Sequence, residues 1–97
     1  MDRIQAMQMF MRVAEAGSFV RAAETLSLPA STVTSTIKNL EKYLKVRLLN
    51  RTTRRVSLTP EGMQYLAQCR EILALIEHSE STLSESVARP QGRLRVD

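Results

Sequence analysis

AAETLSLPASTVTSTIKNLE, residues 22–41, reads as two short helices joined by a tight break. Apolar residues fall at Ala22, Ala23 and Leu26, and a Leu28-Pro29 break follows. Val33, Ile37, Leu40 and Leu44 then recur at the three-and-four spacing of a helix with one buried face. The opposite face of that second helix is small and polar: Ser31, Thr32, Thr34, Ser35, Lys38 and Asn39. Such short side chains let a helix backbone settle into a DNA major groove about 12 Å wide. Surface helices otherwise favour Glu, Lys and Gln over threonine, so solvation alone explains this face poorly.

Upstream, a first helix is expected from about Asp2 to Ala16, with Ile4, Met7, Phe10 or Met11, and Ala14 on one face and Asp2 at its positive end. Met7, Met9 and Met11 read as core filler. Gly17 ends that helix, and Ser18 caps a second one running through Leu26. The Ser18 hydroxyl and the backbone N–H groups after it also suit a phosphate, and the two roles are compatible. A third helix is placed from near Pro29, whose fixed φ suits a first helical position, to about Leu44. VRLLNRTTRRVSLT, residues 46–59, alternates Val46, Leu48 and then Val56, Leu58 around a polar tip from Asn50 to Arg55. That pattern predicts a two-stranded wing, with a loop longer than two residues because no Asn-Gly or Asp-Gly is present.

The formal net charge of +4 conceals an asymmetry. Residues 1–59 hold ten Lys or Arg against four Asp or Glu, whereas residues 60–97 hold four against six. The basic half carries the helix-turn-helix pattern, which points to a polyanionic partner. Lys45, Arg47, Arg51, Arg54 and Arg55 lie within eleven residues with no acid among them. A wing tip bearing them would offer Arg51 or Arg54 to a minor groove and Thr52 or Thr53 to a phosphate. For Arg47 a structural ion pair with Glu41 is equally open.

Thr59-Pro60-Glu61 starts a further helix: a threonine cap, a proline in the first turn and an acid beside the positive end. No proline interrupts it before about Ala88. Leu66, Cys69, Leu73, Ile76, Glu80, Leu83 and Val87 follow alternating steps of three and four, a heptad seam broken by one glutamate. The seam suits a second copy of the chain, with packing on its own domain as the alternative. Arg89-Pro90-Gln91-Gly92 breaks the helix, and RLRVD, residues 93–97, reads as an opening strand with nothing after it to pair with.

No apolar run is long enough to cross a bilayer, and Met1 to Phe19 is interrupted by Asp2, Arg3, Arg12 and Glu15, unlike a signal peptide. The lone Cys69 has no partner for an intrachain disulfide, which suits a reducing compartment, and the expected location is cytoplasmic. Enzyme chemistry finds little footing: His78 and Cys69 are the single residues of their kind, and no zinc ligand set or Gly-rich phosphate loop is present. No catalytic, cofactor-binding or metal-binding residue is assigned.

Gly17-Ser18-Phe19, Ala22-Ala23, Leu40-Glu41, Arg47-Leu48, Asn50-Arg51-Thr52 and Leu58-Thr59-Pro60-Glu61-Gly62 together resemble the N-terminal DNA-binding region of the LysR-type transcriptional regulators. The resemblance covers essentially the whole chain. It implies a mainly α fold: three helices and a two-stranded wing, then a long linker helix that dimerises antiparallel. Residues 1–59 would be the winged helix-turn-helix (helix-turn-helix about 18–38, wing about 46–58), 60–88 the dimerisation helix, and 89–97 a hinge and the start of an absent effector-binding domain. That domain would bind a small-molecule inducer, and the complete protein could be a tetramer.

The reading helix departs from the commoner family pattern. Ala30 stands where many members have a long polar residue, and Ser35 and Thr36 stand where arginine and glutamine are frequent. An alanine and threonine methyls touch thymine methyls but make no bidentate bond to a base, so phosphate contacts and DNA shape would carry more of the recognition. The expected function is that of a homodimeric, sequence-specific double-stranded-DNA-binding domain of a transcriptional regulator. DNA-facing residues are Ser18, Ala30, Ser31, Thr32, Thr34, Ser35, Lys38, Arg51, Thr52 and Arg54; dimerisation falls to Leu66, Cys69, Leu73, Ile76, Leu83 and Val87. The alternative is a helical protein-interaction module with an incidental basic surface, disfavoured by the uncompensated cations of the wing.

Overall fold

The computed structural model describes residues 2–51 and 55–88. Helix α1 spans Arg3–Ala16, and its start is set by Asp2, whose carboxylate accepts the Gln5 N–H at 3.1 Å. It ends where Gly17 takes a left-handed φ of 69°, a conformation that costs glycine little. The buried residues of α1 are Ala6, Met7, Met9, Phe10 and Val13. Ile4 and Ala14 were expected there, but Ile4 is exposed and Ala14 is half-buried. The reason is that α1 touches residues 19–26, 30–44, 56–58 and 60–88 together, so its contacts spread over a broad face centred on Phe10 and Val13 rather than along one narrow stripe.

Helix α2, Phe19–Leu26, starts at Ser18, whose Oγ accepts the Arg21 N–H at 3.2 Å. It stops at Ser27, which is left-handed at φ 58°, and the Ser27 and Leu28 N–H groups turn back to the carbonyls of Ala23 and Glu24. Those bonds satisfy the helix end and reverse the chain. Helix α3 is Ala30–Leu44, so Pro29 is its cap rather than its first residue. Pro29 sits at φ −64° and ψ 144°, an extended ψ that takes it out of the helix while its carbonyl accepts the Thr32 and Val33 N–H groups. Val33, Ile37 and Leu40 are buried. Lys45 closes α3 at φ 60°, and the Lys45 and Val46 N–H groups both reach the Glu41 carbonyl.

Strands β1, Leu49–Arg51, and β2, Val56–Leu58, pair antiparallel, with Leu49 opposite Leu58 and Arg51 opposite Val56. The wing is thus shorter at its base than the alternation predicts. Val46 and Leu48 lie before β1, and Leu48 and Leu49 are consecutive buried residues. Leu48 leaves the ladder because its N–H goes to the Glu41 carboxylate and its carbonyl accepts from Thr59. Thr52, Thr53 and Arg54 of the expected tip, and the break and strand expected from Arg89 onward, lie outside the described residues.

Helix α4, Pro60–Ala88, is fastened at its first turn. Thr59 Oγ1 accepts the Gly62 N–H at 2.9 Å and donates to the Arg47 carbonyl at 2.6 Å. Gly62 passes so close to Leu48 that an added Cβ would fall on the Leu48 carbonyl oxygen. One turn on, the Tyr65 ring lies 5.6 Å from that of Phe10, and Leu66 and Cys69 are 8% and 0% exposed within the core that all three shorter helices share. These two residues had been assigned to a dimer seam; their own domain already covers them. Leu73 and Ile76 are half-buried, and every residue from Glu77 to Val87 is exposed.

Candidate nucleic-acid interface

The core faces of α1, α2 and α3 leave one side of α3 outward. Ser31, Thr32, Ser35, Lys38 and Asn39 are exposed there, as the spacing predicted. Lys42 joins them one turn beyond Lys38. Ala30 and Thr34 are half-buried, with Ala30 packed against the core. Thr36 is half-buried and donates to the Thr32 carbonyl at 2.9 Å, a bond that occupies its hydroxyl hydrogen.

The wing is held beside this helix by one carboxylate. Glu41 Oε2 accepts the backbone N–H groups of Leu48 at 2.8 Å and Leu49 at 3.2 Å, and Glu41 Oε1 pairs with the Arg51 guanidinium at 3.3 Å. Arg51 lies 5.0 Å over the Phe19 ring, a cation–π contact that offsets part of the cost of drawing a charge inward. Its Nε is buried with no hydrogen-bond partner. Phe19, Arg51 and Glu41 therefore link α2, β1 and α3. This placement gives Arg51, which the sequence offered to a minor groove, a structural role: it fastens the wing. It also settles the partner of Glu41, since Arg47 instead donates to the Leu49 carbonyl at 3.4 Å.

Ser18 lines an open cleft with Gly17, Arg21, Arg55 and Val56. Its hydroxyl caps α2, and Arg21 and Arg55 bring positive charge to the same place. Arg21 and Lys42 were missed in the sequence reading. Both carry a signal that was available: Arg21 follows the cap by three residues, and Lys42 repeats the Ser31, Ser35, Lys38 spacing. Thr52 and Arg54 belong to the segment outside the described residues.

No group of three His, Cys, Asp or Glu able to hold a metal occurs among the described residues. His78 is exposed on α4. Cys69 is enclosed, and burial pushes its thiol pKa up from the ordinary value. Burial also raises the neighbouring Tyr65 hydroxyl to about 12, with the Cys69 thiol adding to the effect. A thiol held protonated is a packing group rather than a nucleophile.

Residues 4–63 match the bacterial regulatory helix-turn-helix proteins of the lysR family. The chain belongs to the LysR family. It is 50% identical over all 97 residues to an HTH-type transcriptional repressor of Pseudomonas aeruginosa, of which it spans 31%. Among solved structures, the BenM DNA-binding domain in complex with catB site 1 DNA superposes with a TM-score of 0.84 at 28% identity, over 87% of this chain and 93% of that one. The CbnR DNA-binding domain–DNA complex gives a TM-score of 0.83 at 35% identity, over 89% and 98%. The fold is therefore the winged helix-turn-helix of the LysR family, whose members are transcriptional regulators rather than enzymes. The chain spans about a third of the length of the curated relatives it matches. No helix among the described residues is long and apolar enough to cross a membrane.

Proposed function

We propose that this LysR-family chain binds double-stranded promoter DNA as a homodimer, with α3 in the major groove and the wing on the minor groove or backbone. The observation that carries the reading is the outward face of α3, where Ser31, Thr32, Ser35, Lys38 and Lys42 stand exposed while the opposite face closes the core. The BenM and CbnR complexes with DNA support it by likeness. Ser18, Arg21, Lys38 and Lys42 serve phosphates, Ser31, Thr32, Thr34 and Ser35 meet base edges with Ala30 shaping the fit, and Arg54 and Thr52 extend the contact from the wing. Short hydroxyl side chains discriminate bases weakly, so shape and phosphate contacts carry much of the specificity. Residues 1–59 form the reading unit and 60–88 the dimerising helix, with 89–97 leading to a domain that binds a small-molecule effector. The complete regulator acts in the cytoplasm as a dimer or a tetramer.

A titration of the chain against a palindromic promoter library and a scrambled duplex, at two salt concentrations, tests this. Preference for paired half-sites and a steep salt slope are expected, with Lys38→Ala and Arg54→Ala each reducing the slope by about 1. A folded, dimeric chain that binds no duplex at low salt refutes the reading in favour of a protein-interaction module.

A further inference from the structure

Helix α3 shares no substantial contact with α4 among the described residues, and α1 packs against both. The angle between α3 and α4 is therefore relayed by α1, with a second tie through Thr59 and Gly62 at the wing base. The α4 side of that relay is well fastened. Phe10 and Tyr65 meet ring to ring at 5.6 Å, Leu66 and Cys69 sit in the shared core, and Glu15 pairs with Arg70 at 3.9 Å.

The α3 side carries one contact outside the core. Arg3, the first residue of α1, donates from Nη2 to the Tyr43 hydroxyl at 2.6 Å, and its guanidinium carbon lies 4.7 Å from the centre of the Tyr43 ring. The two residues are 40 positions apart, and Tyr43 belongs to the last turn of α3. Tyr43 is 53% exposed, and Arg3 has no ion pair among the described residues. Burial does not account for so exposed a ring, and no acid draws Arg3 there; guanidinium and ring hold each other. A planar guanidinium set over a ring and bonded to its hydroxyl has a defined direction, which a lysine ammonium would lack. Arg3 also precedes Phe10 by seven residues, two turns away on the same face of α1. Its charge reaches the Tyr65 hydroxyl, where it opposes part of the rise in that pKa. One guanidinium thus acts at both the end of α3 and the start of α4.

We propose that Arg3 and Tyr43 form a strut that fixes the angle of α3 against α4 and so selects the separation of half-sites that two copies bind best. Both are positioning residues, and neither touches DNA. The inference rests on the homodimer reading above and adds what sets the geometry of the pair. Two α3 helices presented at a fixed angle fit one separation and are strained on others, whereas helices free to pivot accept several.

The test uses duplexes carrying the best half-site from the titration above in two inverted copies, with the gap varied one base pair at a time, and a control duplex with one copy scrambled. Arg3→Ala and Tyr43→Ala are each expected to reduce the preference for the best gap over its neighbours about fivefold, while affinity for the control duplex stays within about twofold. Tyr43→Phe keeps the ring and loses the hydroxyl, so its preference should fall between that of Tyr43→Ala and that of the starting chain. The preference is a ratio of affinities from one sample, so a lower folded fraction cancels from it, and circular dichroism checks folding. Variants that keep the full preference overturn the strut and leave the homodimer reading intact. Variants that lose affinity equally on every duplex, with a shallower salt slope, reveal a direct phosphate contact and also overturn it. A starting chain with no preference among gaps overturns the strut and the homodimer reading together.

Discussion

Replacing Glu41 by alanine removes three contacts made by one carboxylate: the Leu48 N–H at 2.8 Å, the Leu49 N–H at 3.2 Å and the Arg51 guanidinium at 3.3 Å. Each backbone donor left without a partner costs about 1.5 kcal/mol, near the lower end for bonds to charged groups. The Arg51 pair is partly exposed, 25% on the arginine side and 11% on the glutamate side, so solvent screening limits its share to about 1 kcal/mol. The sum is roughly 4 kcal/mol, a large fraction of the 5–15 kcal/mol that typically holds such a domain together. Urea unfolding followed by far-ultraviolet circular dichroism, at one fixed protein concentration so that the proposed dimerisation adds a constant amount, measures it. Glu41→Gln keeps one acceptor oxygen and loses the charge, so it should cost about half as much. Arg51→Met adds a double-mutant cycle in which the pair couples by about 1 kcal/mol. A Glu41→Ala variant destabilised by less than about 1 kcal/mol would show that the turn between α3 and β1 is held by something else, and the assignment of Arg51 to structure would fail with it.

Gly62→Ala should destabilise by more than about 3 kcal/mol despite alanine's better helix propensity, because the methyl group would fall on the Leu48 backbone carbonyl; thermal unfolding reads it directly. Ser27→Gly, at a left-handed helix end, should instead raise stability by about 0.5–1 kcal/mol, measured by urea midpoint. Stability should fall on the alkaline side: the unfolded chain releases the Cys69 proton near 9.0 and the Tyr65 proton near 10.0, while the folded chain holds both more tightly, Tyr65 to about 12. The favourable contribution is complete below pH 9 and is lost as pH rises through the folded values. Tyr65→Phe should flatten the decline between pH 10 and 12, and an unchanged profile would exclude Tyr65 as its source.

The helix ends were legible because local chemistry fixes them: Asp2, Ser18 and Thr59 cap, and Gly17 takes the left-handed turn, all within a few residues of the element they bound. Pro29 was misplaced by one position because φ alone suits both the cap and the first helical residue, and it is ψ that distinguishes them. Ile4 was misassigned because a period gives one face, whereas α1 meets four neighbouring elements. The outward face of α3 followed from periodicity. Arg51 did not, since its partners Glu41 and Phe19 are ten and thirty-two residues away in sequence and meet it only after the wing folds back. A run of cations marks a basic segment without saying which member faces inward. The same limit applied to the seam, where spacing alone gave no means of telling a host in the same chain from one in a second copy.

Thr59 and Gly62 join the first turn of α4 to the backbone of Arg47 and Leu48 without a flexible residue between them. The 29 residues of the helix make a lever about 43 Å long. With no joint at the fulcrum, a tilt of about 5° between two such levers shifts a reading head by about 4 Å, close to the ~3.4 Å step between base pairs. In the proposed dimer, small changes in the angle at which two copies cross thus become whole-base-pair changes in the operator spacing that the pair can span.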